Sequence, residues 1–163
     1  MPESCRILVV SDVHGDLRGM RWILENEKAD AMFFLGDGLS ELNGALERQK
    51  TPVSYPIYRV RGNCDVGYPE PTEGLAPFGG LLFFYTHGHN YGVKMGVAQL
   101  AEHADARGAD VALCGHTHQK TLVCATKGAA QVFNPGSLRF GGSYGVITME
   151  DGHAAFGWKQ VPQ

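Results

Sequence analysis

Apolar runs of four to six residues recur along this chain, and polar residues follow each of them. Residues 7–11, 31–35, 81–86 and 111–114 are almost unbroken in their apolar character. Runs of that length without alternation are expected of strands buried on both faces. Between them the period changes. Leu17, Met20, Ile23 and Leu24 keep helical spacing, and Asp16 stands where an N-cap would. Leu39, Leu42 and Leu46 predict a second helix, and Val93, Val97, Leu100, Ala101 and Ala104 one face of a third. A further strand is expected over residues 56–61. The first two-thirds therefore reads as βαβαβ. Residues 120–126, 130–134, 143–149 and 153–161 look like short strands separated by Gly, Asn and Pro turns, mostly antiparallel. The expectation is an α/β fold of two packed sheets with helices outside. Residues 62–80, rich in Gly and Pro, read as one long loop, and such loops are usually functional or disordered.

One domain over residues 1–163 is the simplest organisation for 163 residues. A chain of that length buries about 70% of its unfolded surface. Its 44% hydrophobic and 19% charged residues are ordinary for a globular protein. The net charge of −3 provides no basic footprint for nucleic acid or an anionic membrane. The run at the N-terminus is too short for a signal segment, and no stretch approaches the roughly 20 apolar residues of a membrane span. Cys5, Cys64, Cys114 and Cys124 form no CxxC pair and no disulfide framework. A cytoplasmic location with reduced thiols is expected.

The polar residues after the runs are of one chemical kind. Asp12 and His14 follow the first run, and Asp37 the second. Asn63, Cys64 and Asp65 follow the third, His87 and His89 the fourth, and His116 and His118 the fifth. In open α/β sheets, ligands bind beyond the carboxyl ends of parallel strands. Each residue has an ordinary structural use, in a cap, a turn or a hydrogen bond. Their recurrence at every strand end is better explained by a metal site. In extended chain, His116 and His118 would aim their rings at the same spot. Asp12, His14, Asp37, Asn63, His87, His116 and His118 make seven O/N ligands, too many for one ion. They suit two divalent ions sharing a carboxylate, with Mn, Fe, Zn or Ni matching the donor set.

The segments DVH (12–14), GD (36–37), GNCD (62–65), THGH (86–89) and GHTH (115–118) resemble, in order and spacing, the calcineurin-like metallophosphoesterases. With NPGS (134–137) and the small size, the chain is most similar to their compact YfcE-like phosphodiesterase branch. The resemblance implies a four-layer αββα sandwich of two mixed sheets with a binuclear metal site. It implies that Asp12, His14 and His118 hold one metal, Asn63, His87 and His116 the other, and that Asp37 bridges them. By this resemblance His116 and His118 would reach different ions. It further implies a phosphodiesterase in which a metal-bridging hydroxide attacks phosphorus, with two divalent ions, Mn first among them, as cofactors.

One motif departs from the family. Many members read GNHE where this chain reads GNCD, and the family's histidine there is thought to help phosphate binding and leaving-group protonation. Cys64 is a poor substitute, with an ordinary thiol pKa near 8.5. His89 is the candidate replacement acid and, with Asn63 and Cys64, a candidate substrate contact. Weak turnover of substrates with high-pKa leaving groups follows, and better turnover of aryl esters. Arg61 and Arg139 face either the phosphate or solvent. His103 and His153 read as solvated, and Cys5, Cys114 and Cys124 as small buried hydrophobes.

Two other functions stay open beside a small-phosphoester diesterase. One is a phosphomonoesterase acting on nucleotides. The other is an interaction scaffold, as the retromer subunit of this fold looks to be, with Tyr68, Leu75 and Phe78 of the 62–80 loop as a partner surface. A homo-oligomer is compatible with either. A nuclease is disfavoured by the lack of a basic groove.

Overall fold

The computed structural model describes residues 4–123 and 130–162. Its elements are β1 (Ser4–Val10), α1 (Leu17–Asn26), β2 (Ala31–Phe34), α2 (Leu39–Glu47), β3 (Ile57–Arg59), β4 (Glu73–Phe78), β5 (Leu81–Thr86), α3 (Ala98–Ala106), β6 (Val111–Leu113), β7 (Lys120–Val123), β8 (Gln131–Pro135), β9 (Ser143–Glu150) and β10 (His153–Gln160). They form two five-stranded mixed sheets, ordered β10-β9-β1-β2-β3 and β4-β5-β6-β8-β7. β1, β2 and β3 run parallel in the first sheet, and β5, β6 and β8 in the second.

Period-two alternation builds the layers. Ile7 and Val9 of β1 and Phe33 of β2 face Phe83, Tyr85, Val111, Leu113 and Phe133 of the other sheet. Leu8, Val10, Met32 and Phe34 point the opposite way and meet Met20, Ile23 and Leu24 of α1 and Leu39 and Leu42 of α2. Phe84, Ala112 and Val132 meet Leu100 and Ala104 of α3. The result is helix, sheet, sheet, helix, as expected. Phe33 sits at the centre, its ring 5.0 Å from Phe83 and 4.9 Å from Tyr58. Truncating such a ring to Ala costs about 3–5 kcal/mol. Asp16 caps α1, accepting from the Gly19 N–H at 3.0 Å.

Several expectations are corrected. Residues 62–80 are not one loop, because β4 lies within them and pairs antiparallel with β5, Glu73 opposite Thr86 and Phe78 opposite Leu81. Pro77 disguised it; an edge strand tolerates proline because one row of its N–H groups needs no partner. The Gly79-Gly80 turn, φ +62° and +91°, closes the hairpin. Tyr68, Leu75 and Phe78 do not share a surface. Phe78 packs against the core between the sheets and Tyr68 against the cluster under α1 and α2.

The third helix starts at Ala98, not near Val93, which belongs to a separate 3-10 turn, Val93–Met95. Gly96, φ +134°, separates the two. The C-terminal strands are mostly antiparallel, as expected, though β8, antiparallel to β7, joins its sheet parallel to β6. His103 is half-buried rather than solvated, its ring 4.9 Å from Tyr91 and 5.2 Å from Phe84. His153 is exposed, Cys114 buried and Cys5 half-buried. Cys124 and the end of the expected strand 120–126 lie outside the described residues. Among the described residues no helix is long and apolar enough to cross a membrane.

Candidate metal centre

The parallel strands of both sheets deliver their carboxyl ends to one edge of the sandwich, and the loops beyond them converge. Asp12 and His14 leave β1, Asp37 leaves β2, His87 leaves β5, and His116 and His118 leave β6. His14 Nε2, His118 Nε2 and Asp12 Oδ1 form a triangle with every side 3.2 Å. A second group brings His87 Nε2 within 3.2 Å of Asp37 Oδ2 and 3.1 Å of His116 Nδ1. Asp37 Oδ2 is also 3.6 Å from His14 Nε2, so it faces both groups.

These spacings test whether the residues suit a metal. Ligands about 2.0–2.2 Å from one ion stand about 3–3.5 Å from each other. Hydrogen bonding alone explains the triangle poorly, because an Nε2–H aimed at the carboxylate is not aimed at the other ring. Two such N–H groups would oppose each other. A cation at the centre satisfies all three atoms. The donor set is nitrogen and oxygen, which suits divalent ions of intermediate hardness.

Surrounding groups hold the ligands in that pose. Asp12 is fully buried. Its Oδ2 accepts from Ser11 Oγ at 2.7 Å and from the His116 N–H at 2.9 Å, leaving Oδ1 for the triangle. Asp37 Oδ1 accepts from the Cys64 N–H at 2.8 Å, leaving Oδ2 for the centre. His87 Nδ1 lies 2.7 Å from the Leu35 carbonyl. A carbonyl only accepts, so Nδ1 carries a proton and Nε2 is the nitrogen left to face Asp37 or an ion, the usual arrangement behind a ligating imidazole.

The charges are coupled. Burial alone would raise the Asp37 pKa, but the hydrogen bond and charge of His87, the Cys64 N–H and His14 outweigh it and bring it to about 2. Burial lowers the His87 pKa, yet Asp37 and Asp12 raise it on balance. His116 and His89 are lowered, by burial first and then by the nearby His87 charge. The Cys64 thiol is raised by burial and by the charge of Asp37, which keeps it protonated.

Backbone strain gathers at the same place. Asp12, His14, Asp37, His116 and His118 all have positive φ, between +39° and +70°. Asp151, in a hairpin turn, is the other such non-glycine residue among those described. This corrects the reading of His116 and His118 as neighbours on extended chain. Left-handed backbone at both rotates their rings apart, His116 toward His87 and His118 toward His14.

The remaining expected residues stand at the rim. Asn63 and Cys64 are exposed, and the Asn63 amide donates to Cys64 Sγ at 3.5 Å. Cys64 Sγ lies within 4.8 Å of ligand atoms of His14 and Asp37. The His89 ring is 5.5 Å from His87, and its Nδ1 is buried without a hydrogen-bond partner among the described residues. Arg61 is spent on the Glu70 carbonyl at 3.0 Å, whereas Arg139 is exposed.

Sequence reasoning missed the residues that hold the loops. Buried Asp65 accepts from four backbone N–H groups, those of Asp37, Gly38, Leu39 and Gly62, at 2.7–3.1 Å. The Asn134 amide donates to the Gly115 carbonyl at 3.1 Å and to Thr117 Oγ1 at 3.0 Å, fixing the loop of His116 and His118. Ser137 Oγ donates to the Asp12 carbonyl at 2.8 Å. The polar NPGS segment directly after an apolar strand was the available signal for the last two.

The chain is similar to known proteins over most of its length. The calcineurin-like phosphoesterase superfamily domain matches residues 5–152. The probable metallophosphoesterase YsnB of Bacillus subtilis (strain 168) is 30% identical over 150 residues, 89% of this chain and 85% of that protein. A conserved uncharacterized protein of Streptococcus pneumoniae TIGR4, described as a predicted phosphoesterase, matches with a TM-score of 0.79 and 26% identity over 96% of this chain and 90% of that one. Vacuolar protein sorting 29 of Cryptosporidium parvum matches with a TM-score of 0.74 over 98% and 99% of the two chains. Its 15% identity makes that a likeness of fold alone. With nine-tenths of its length inside one family's pattern, the chain belongs to the calcineurin-like phosphoesterase superfamily.

Proposed function

We propose that this protein is a metal-dependent phosphoesterase that works with two divalent ions and prefers phosphodiesters. One observation carries the reading: Asp37 Oδ2 faces two separate ligand groups, 3.6 Å from His14 Nε2 and 3.2 Å from His87 Nε2. In this reading Asp12, His14 and His118 hold one ion, Asn63, His87 and His116 the other, and Asp37 bridges. Bound divalent ions supply positive charge that acidifies water and neutralises phosphate oxygens. The chain's own part is to position. Ser11 and the His116 N–H orient Asp12, the Leu35 carbonyl orients His87, and Asp65 fixes the loop of Asp37.

Proton supply is the weak point of the machinery. The Cys64 thiol pKa is raised by burial and by Asp37, and the His89 pKa is lowered by burial and by the nearby His87. Esters with good leaving groups, which need little protonation, are therefore the proposed best substrates. The test strips the protein with chelator, adds Mn, and compares bis-p-nitrophenyl phosphate with p-nitrophenyl phosphate. Faster cleavage of the diester, dependent on metal and lost in Asp37→Asn, is the expected result.

An interaction scaffold is the second reading. It is favoured by the exposed apolar side chains of Val66, Met95 and Phe140, 86%, 94% and 58% exposed. Failure of both esters under Mn, Fe, Zn and Ni would put this reading first.

A further inference from the structure

Phe140 takes no part in metal ligation, yet it is built into the candidate site. Its ring is stacked on His118, centroids 5.1 Å apart and planes 26° apart, and lies 5.9 Å from His14. Its backbone is tied to the same place. The Phe140 N–H donates to Ser137 Oγ at 2.9 Å, and Ser137 Oγ donates to the Asp12 carbonyl. The neighbouring Arg139 N–H also reaches the Asp12 carbonyl, at 3.2 Å. The ring is thus held beside the Asp12, His14 and His118 triangle, and the residue is 58% exposed. A phenylalanine has no polar atom to justify that exposure. A flat apolar surface fixed in advance is what a ring-bearing ligand needs.

The residues on either side of Phe140 line a separate groove, whose lining includes neither Phe140 nor the candidate ligands. It holds about 820 Å³ between Arg139 and Gly141 on one wall and the start of α1, with Leu17, Arg18 and Trp22, on the other. Asp16 in this groove is occupied in capping α1, and Arg21 is paired with Glu25 at 3.3 Å. Arg18 and Arg139 have no acidic partner among the described residues. Beside the candidate phosphorus site comes an aromatic face. A flat ring joined to an anion is the chemistry of a nucleotide. A sugar phosphate would leave the ring face wet.

We propose that Phe140 is a specificity-determining residue that stacks the nucleobase of a nucleoside phosphoester whose phosphate sits at the metal centre. This deepens the phosphoesterase reading and rests on its placing of phosphate at the metal centre. The experiment measures binding rather than turnover, so that the two can fail separately. Adenosine 5′-monophosphate and ribose 5-phosphate, which differ only in the base, are titrated calorimetrically into the Mn-loaded protein. The expected preference for the nucleotide is about tenfold, the scale of one stacked base. Phe140→Ala brings the ratio to within about threefold, and Phe140→Tyr, which keeps the ring, restores most of it. Equal affinities in the unaltered protein, no binding of either ligand, or a preference that survives Phe140→Ala would overturn the proposal. Nucleotide preference without hydrolysis of any ester would uphold the subsite and sink the enzyme reading.

Discussion

The backbone N–H of His116 donates to Asp12 Oδ2 at 2.9 Å, joining a loop of the second sheet to a loop of the first. The bond from His87 Nδ1 to the Leu35 carbonyl crosses the same seam in the same direction. The candidate metal centre is therefore part of what holds the two sheets in register at this edge. Loading the site should stabilise the whole fold. With Mn at about a hundred times its Kd, linkage gives about 2.7 kcal/mol. For a chain of this size that is a rise in Tm of about 5–10 °C. Differential scanning calorimetry with and without chelator measures it, and Asp37→Asn should remove most of the rise.

Asp65 uses both carboxylate oxygens twice over, each facing two backbone donors. Asp65→Asn has the same shape but must turn an NH2 group toward two N–H groups. It should cost about 2–3 kcal/mol, read from the urea midpoint, and weaken Mn binding at least about tenfold. A loss of stability without a loss of metal affinity would show that the loop of Asp37 keeps its shape unaided.

Gly62 lies against Asp37. A Cβ there would be 2.1 Å from Asp37 Oδ1 and 2.7 Å from the Asp37 backbone nitrogen. The side chain can swing away, but the backbone atom cannot without breaking the bonds to Asp65. Gly62→Ala should therefore abolish Mn binding at concentrations that saturate the unaltered protein, while circular dichroism still reports the native secondary structure.

Glu27 gives the fold its own pH response, well away from the metal. Its carboxylate is largely buried and meets Tyr144 Oη, Arg6 at 3.1 Å and Lys159 at 3.1 Å. Burial alone would raise its pKa, but these donors outweigh burial and bring it below the ordinary 4.5. A lowered folded-state pKa means that stability from this group is present above about pH 4.5 and lost as pH falls through the folded value. Glu27→Gln should cost about 1–3 kcal/mol at pH 7. It should also flatten the fall in stability below pH 4.5. Urea titrations at pH 7, 4.5 and 3.5 test both.

Cys64→His places an imidazole beside Asp37. It should raise the rate on alkyl phosphodiesters several-fold and change the rate on aryl esters little, because only the former need a proton on the leaving group. Parallel kcat measurements on one ester of each kind decide the matter. Equal gains, or none, would count against proton supply as the limit.

Legibility in the sequence followed the physics of each feature. Buried parallel strands announce themselves by unbroken apolar runs, so β1, β2, β5 and β6 were readable, as were the polar residues beyond them. β4 was not, because Gly74 and Pro77 break its pattern and its partner strand supplies the order. The Gly79-Gly80 pair was the missed sign of a hairpin. Asp65 was visible but mute, since its partners are backbone N–H groups of residues up to 28 positions away. Phe140 carries no sign in the sequence of its contact with His118. The HxH spacing suggested one shared target, and only the backbone angles show why the rings part.

Those angles have a consequence for how such a chain changes over time. Five candidate ligands sit in a conformation that glycine adopts freely and that costs other residues about 1–3 kcal/mol each. Aspartate and histidine tolerate it better than most, but not without cost. If selection on the chemistry lapses, exchange of these positions for glycine relieves strain while erasing the ligands. At His14, His116 and His118 that relief is unopposed by any loop-holding bond of the side chain, whereas Asp12 and Asp37 also hold backbone N–H groups and would be costly to lose. Descendants that keep the sandwich and abandon the reaction should be common, and their first empty positions should be the left-handed histidines.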